Sequence, residues 1–150
     1  MTRCSLLIFA VVFTFSCSHW TSIEHLAGQR IDNCSENGPC IIRFKDVTDF
    51  EWDEMYVFES GATLDRIEKA LRTPFPDYVE FTRRLVFLKN GKIVYREDEP
   101  TDIERIVQGQ LTFAESYSDP HWFFTPESAV FSAQKKQSNG ATYYVLTQIK

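Results

Sequence analysis

The 150-residue chain is long enough for one domain and short for two, and its 43% apolar residues, 13 of the side chains being Phe, supply one core. The formal charge of -5, nearer -6 without residues 1–16 and their single Arg, excludes broad nucleic-acid binding, which needs clustered Lys and Arg to displace counterions. A weakly acidic surface suits solubility, and it would also suit a basic protein partner.

In chain order the first element is an export signal. Arg3 supplies one positive charge, Ser5 to Ser16 is an apolar run of 12 residues, and Cys17 closes it. A spanning helix needs about 20 apolar residues, and the polar Ser18-His19-Trp20-Thr21-Ser22 does not extend the run. The segment resembles the signal of bacterial lipoproteins, in which small residues precede an obligatory Cys. Ser16 fits that pattern; Thr14 and Phe15 stand where Leu and a small residue are usual. The resemblance implies that residues 1–16 are removed, that Cys17 carries the lipid, that 17–22 form a tether and that 23–150 form a single domain. Plain secretion and an uncleaved anchor are the alternatives. Ser18 after the cysteine resembles the pattern for outer-membrane sorting, so the expected location is the bacterial envelope, facing the periplasm.

Cys4 leaves with the signal, and acylation withdraws Cys17 from thiol chemistry. Cys34 and Cys40 then remain as a pair, and the turn-forming Ser35-Glu36-Asn37-Gly38-Pro39 lets the chain double back to join them. Metal binding is the competing reading, but no second Cys pair or nearby His completes a tetrahedral set. No metal and no cofactor is expected.

The remaining elements follow from periodicity and punctuation. Thr21 with Glu24 is a possible capping box for a short helix ending near Gly28. Cys40 to Lys45 and Met55 to Phe58 read as strands. Thr63 to Arg72 reads as a helix with Leu64, Ile67 and Leu71 on one face, and Asp65–Lys69 and Glu68–Arg72 paired on the other. Arg84–Lys89 and Lys92–Arg96 flank Asn90-Gly91, residues that accept the positive φ of a tight hairpin turn. Thr101 to Gln108 reads as a second helix, capped by Thr101 and Glu104 and ended by Gly109. Residues 111–126 read as irregular. Ser128–Lys135 and Thr142–Gln148 make a second hairpin through Ser138-Asn139-Gly140. The expected class is α+β: a single antiparallel sheet built from hairpins, with two or three short helices.

The stretch Phe50-Glu51-Trp52-Asp53-Glu54-Met55-Tyr56-Val57-Phe58 resembles the F-x-W-D-x-x-Y-V-F segment of small bacterial lipoproteins and exported proteins. The resemblance covers Cys40–Phe58 well and the following helix and hairpin loosely, and it implies no activity. The aromatic-proline turn that follows in many of those proteins is replaced here by Glu59-Ser60-Gly61. Physically, Phe50 and Trp52 read as a core plug with Asp53 bonding the loop backbone. The functional alternative makes Trp52 and Asp53, with Tyr56, part of a ligand cleft.

Acid–base candidates are His25, His121, Asp53, Glu54 and Glu115, with His19 in the tether. No spacing singles out a carboxylate pair, and no nucleophile elbow or phosphate loop is present. Tyr117, His121, Trp122 and Phe123 form an aromatic segment that reads as either a lid on the core or a partner surface. The leading expectation is therefore a non-enzymatic, membrane-tethered protein-binding lipoprotein of inhibitor or immunity type. An envelope hydrolase using Asp53 or Glu115 and an envelope assembly factor are the alternatives.

Overall fold

The computed structural model describes residues 22–35, 38–100, 105–114 and 121–149. The expected export segment with Cys17, the expected Thr101–Glu104 capping box, Glu115 and Tyr117 lie outside the described residues.

Two hairpins organise the chain, and each belongs to a different sheet. The helices are α1 (Ile23–Asp32), α2 (Phe44–Val47) and α3 (Leu64–Leu71). The strands are β1 (Cys40–Arg43), β2 (Glu54–Phe58), β3 (Thr82–Lys89), β4 (Lys92–Pro100), β5 (Leu111–Phe113), β6 (His121–Phe124), β7 (Val130–Ser138) and β8 (Ala141–Gln148). One sheet runs β1-β7-β8-β5 and the other β4-β3-β2-β6. The β5–β8 pair is parallel and the rest are antiparallel. This corrects the expectation of a single antiparallel sheet. Both hairpins form as expected, but their apolar faces bury each other across a shared core instead of lying side by side.

Ile42, Phe131, Ala133 and Leu146 from one sheet and Met55, Val57, Leu85, Phe87 and Phe124 from the other belong to that core. Ile23, Ala27 and Ile31 bring α1 into the same cluster, and Phe44 and Val47 bring α2. A second cluster lies on the far side of the β2–β3 sheet, where Ile67, Leu71 and Phe75 cover Tyr56, Phe58, Val86 and Leu88. Strands β2 and β3 are thus buried on both faces. That is why they read as continuous apolar runs, whereas β7 alternates in its first half and turns polar beyond Ala133.

Turn chemistry accounts for the hairpins. Asn90 and Gly91 have φ of 51° and 70°, and Asn139 and Gly140 have 50° and 81°, the left-handed pair that a two-residue turn needs. Cys34 and Cys40 are joined as a disulfide with Cα atoms 5.5 Å apart.

Elsewhere tertiary contacts override local signals. The cap of α1 is Ser22, whose side chain accepts from the His25 amide, and the helix passes through Gly28 to Asp32. Gly28 is needed there because a Cβ would stand 2.9 Å from the Tyr144 ring. Strand β1 stops at Arg43 as the chain turns into α2. Thr63 precedes α3 without a side-chain cap bond. Arg72 reaches Glu54 at 2.9 Å instead of Glu68, which accepts from the Phe75 amide. The described part of the expected 101–108 helix, residues 105–108, is not helical. Gly109 donates to Thr142 O and Gln108 Oε1 accepts from Thr142 N, both at 2.8 Å, so this segment is tied to the start of β8. The stretch expected to be irregular contains β5 and β6.

Candidate functional site

Strands β5 and β6 end their sheets on the same side, since Phe113 of β5 stacks against Trp122 and Phe124 of β6 at 6.0 and 6.3 Å. Strand periodicity then divides the aromatic segment. Trp122 and Phe124 turn inward, Trp122 half-buried against the core and Phe124 fully within it. Phe123 turns to the opposite face, 5.2 Å from the Tyr56 ring, and remains 49% exposed. No described strand pairs with the outer edge of β6. The described part of the segment, His121–Phe124, is therefore an edge strand with Trp122 and Phe124 against the core and Phe123 outward.

The Phe50–Phe58 motif builds a joint between β2 and the β3–β4 hairpin. Trp52 is buried edge-on to Phe87 at 5.2 Å and donates from Nε1 to Thr48 Oγ1 at 2.9 Å. Phe50 stacks on Tyr95 at 5.2 Å and meets Phe87 edge-on. Asp53 accepts from the Asn90 amide at 2.8 Å and Lys89 Nζ at 2.9 Å, which hold its carboxyl below the ordinary carboxylate range. A carboxylate so occupied clamps the hairpin turn and is poorly placed to donate a proton. Glu54 is engaged by Arg72 and by the Tyr56 hydroxyl, whose pKa burial first, then Glu54, pushes up to about 12. His25 is exposed and lies 2.9 Å from Gln29 across one helical turn.

A different group of charges, none of them flagged by spacing, meets at the start of α1. Glu24 is ion-paired with Arg83, both side chains being buried. Arg83 also donates to the Leu111 carbonyl. Glu97 accepts from Ser22 Oγ, from the Ile23 amide at 2.7 Å and from the Tyr95 hydroxyl at 2.9 Å. Glu99 lies opposite Arg83 in the β3–β4 register. Burial pushes the Glu24 carboxyl up to about 7, outweighing the Arg83 guanidinium, while Glu97 and Glu99 add repulsion. Burial and then Glu97 also raise Glu99. A cavity of about 130 Å³, room for several waters, opens beside Glu24, Arg83 and Glu99 and is lined on its other side by Val107–Gln110. Period-two alternation could have found part of this group. Arg83, Leu85 and Phe87 share one face of β3, so a charge at Arg83 falls on the core side.

Among the described residues no set of three or more His, Cys, Asp or Glu is arranged to hold a metal ion, and no helix is long and apolar enough to cross a membrane. No family model matches the chain, and no curated protein or solved structure matches it.

Proposed function

We propose that this is a membrane-tethered protein-binding domain of the bacterial envelope, of inhibitor or immunity type, and that β6 forms its binding edge. The observation that carries the reading is the half-exposed Phe123 on a strand whose outer edge has no described partner. An open edge offers backbone donors and acceptors to an extended segment of a second protein, and an outward aromatic beside it supplies apolar contact area. The acidic net charge favours a basic partner. Lipidation at Cys17 would hold the domain at the membrane through residues 17–22. The Asp53 form of the hydrolase alternative loses its main support, because that carboxylate is already taken up by the hairpin turn.

A photo-crosslinker placed at Phe123, with a second at the exposed Gln134 of β7 as control, tests the assignment in intact cells. The expected result is one specific adduct from position 123 only. In the purified complex Phe123→Ala should weaken binding by about 2 kcal/mol, roughly thirtyfold. Equal crosslinking from both positions, or unchanged affinity in Phe123→Ala, would overturn it. Cys17→Ser separately tests the tether: the variant should remain unprocessed, and normal maturation with membrane partitioning would refute the anchor.

A further inference from the structure

We propose that the carboxylates where α1 enters the sandwich form a proton-operated latch, which holds the helix start in an acidic medium and loosens it as the medium turns neutral to alkaline. The geometry is a charge mismatch inside the fold. Glu24 of α1 and Glu99 of β4 both face the one guanidinium of Arg83 on β3, and Glu97 of β4 adds a third carboxyl that acts on both of them. Glu97 is committed to the helix start itself, through the Ile23 amide and Ser22 Oγ. Glu24 and Glu99 are then left to share Arg83.

The other groups facing Glu24 do not remove the mismatch. The Leu111 backbone of β5 hydrogen-bonds it, and the cavity beside it is lined by Ser22, His25, Gln108 and Gln110. Glu59, at the end of β2, lies within the field of Arg83, and burial raises its carboxyl too. Every shifted acid around Arg83 therefore moves in the same direction.

The sign follows by linkage. A carboxyl whose pKa is higher in the docked state than in the undocked one favours docking while protonated. For Glu24 that contribution is complete below the ordinary value of 4.5 and is lost as pH rises through about 7. The far end of α1 works the opposite way. Asp32 is held by Lys135 at 2.6 Å and the Tyr144 hydroxyl at 2.8 Å, which lower its pKa, so that end stays fastened across the same range. The helix is thus expected to loosen from its first turn and remain pinned at its last. Ser22, at the loosening end, stands between the cavity and an open groove lined by Val94, Tyr95, Arg96 and Glu97.

Amide hydrogen exchange, corrected for intrinsic rates, tests the latch. Ile23, His25 and Leu26 report the first turn, and Asn33, bonded to Gln29 O, reports the far end. Between about pH 5.5 and about pH 8 a pKa moved from 4.5 to about 7 predicts a loss of protection of about 25-fold in the first turn. Asn33 should hold constant. Glu24→Gln, neutral at every pH, should abolish most of the drop. Constant first-turn protection in the natural protein, or the same drop in Glu24→Gln, would overturn the latch. Should that variant fail to fold, a carboxyl NMR titration of Glu24 in the natural protein decides. A midpoint near 7 supports the proposal, and one in the ordinary carboxylate range overturns it.

Discussion

Replacing Phe131 by Ala probes whether the two sheets are joined through one core. The side chain is 1% exposed and sits edge-on to three other rings: Phe44 of α2 at 5.5 Å, Phe113 of β5 at 5.4 Å and Phe124 of β6 at 5.0 Å. Phe124 belongs to the opposite sheet, so the truncation removes a contact across the interior as well as within it. Emptying a buried Phe site costs about 3–5 kcal/mol. Edge-to-face partners add about 0.5–1.5 kcal/mol each beyond area burial, which places this site toward the upper end. Against a total stability of about 5–15 kcal/mol the loss is a third or more for most of that range. In thermal terms it amounts to roughly 10–20 °C. Urea denaturation followed by circular dichroism measures it directly. The same truncation at Phe123, half-exposed with its ring against Tyr56, should cost about 1 kcal/mol or less. A loss below about 1 kcal/mol at Phe131, or equal losses at the two positions, would refute the packing of one sheet on the other.

Two further outcomes follow from local geometry. Paired Cys34→Ser and Cys40→Ser substitutions release a closed loop of sequence separation 6 and should lower stability by about 2 kcal/mol by the chain-entropy relation, seen as a shift in thermal midpoint that reductant reproduces in the natural protein. Gly28→Ala should destabilise by about 1–2 kcal/mol, although Ala is the better helix former, because the new Cβ meets the Tyr144 ring that Asp32 holds in place; a gain in denaturation midpoint would refute that contact.

Local chemistry made several features legible. Asn90-Gly91 and Asn139-Gly140 each supply adjacent positive-φ residues between apolar runs, so both hairpins could be placed. The Cys34–Cys40 bridge followed from a short turn-forming interval. The packing of Phe50 and Trp52 on Phe87, with Asp53 on loop backbone, matches the contacts expected of one of the two readings of the motif. The helix at Leu64–Leu71 was marked by its apolar stripe. In each case the determining interactions lie within a few residues or one turn.

What local chemistry could not decide is how distant segments meet. Strand β6 reads as an irregular aromatic stretch because it has only four residues and finds its partner far back in β2. The segment before β5 carries helix-like punctuation but is taken up by hydrogen bonds to Thr142. The four charged groups at the start of α1 are scattered from Glu24 to Glu99; period-two spacing relates Glu97 to Glu99 on β4, but no spacing brings Glu24 to Arg83 or either to that pair. By itself the sequence determined the hairpin turns, the disulfide, one helix and the residue types available for a core, because these depend on torsional preference and short loops. Only the tertiary structure decided that there are two sheets, that Phe123 points outward while Trp122 points in, and that Glu24 is buried beside Arg83. Those outcomes depend on which apolar faces cover one another, and burial, which also sets the proton affinity of Glu24, is a property of the assembled fold.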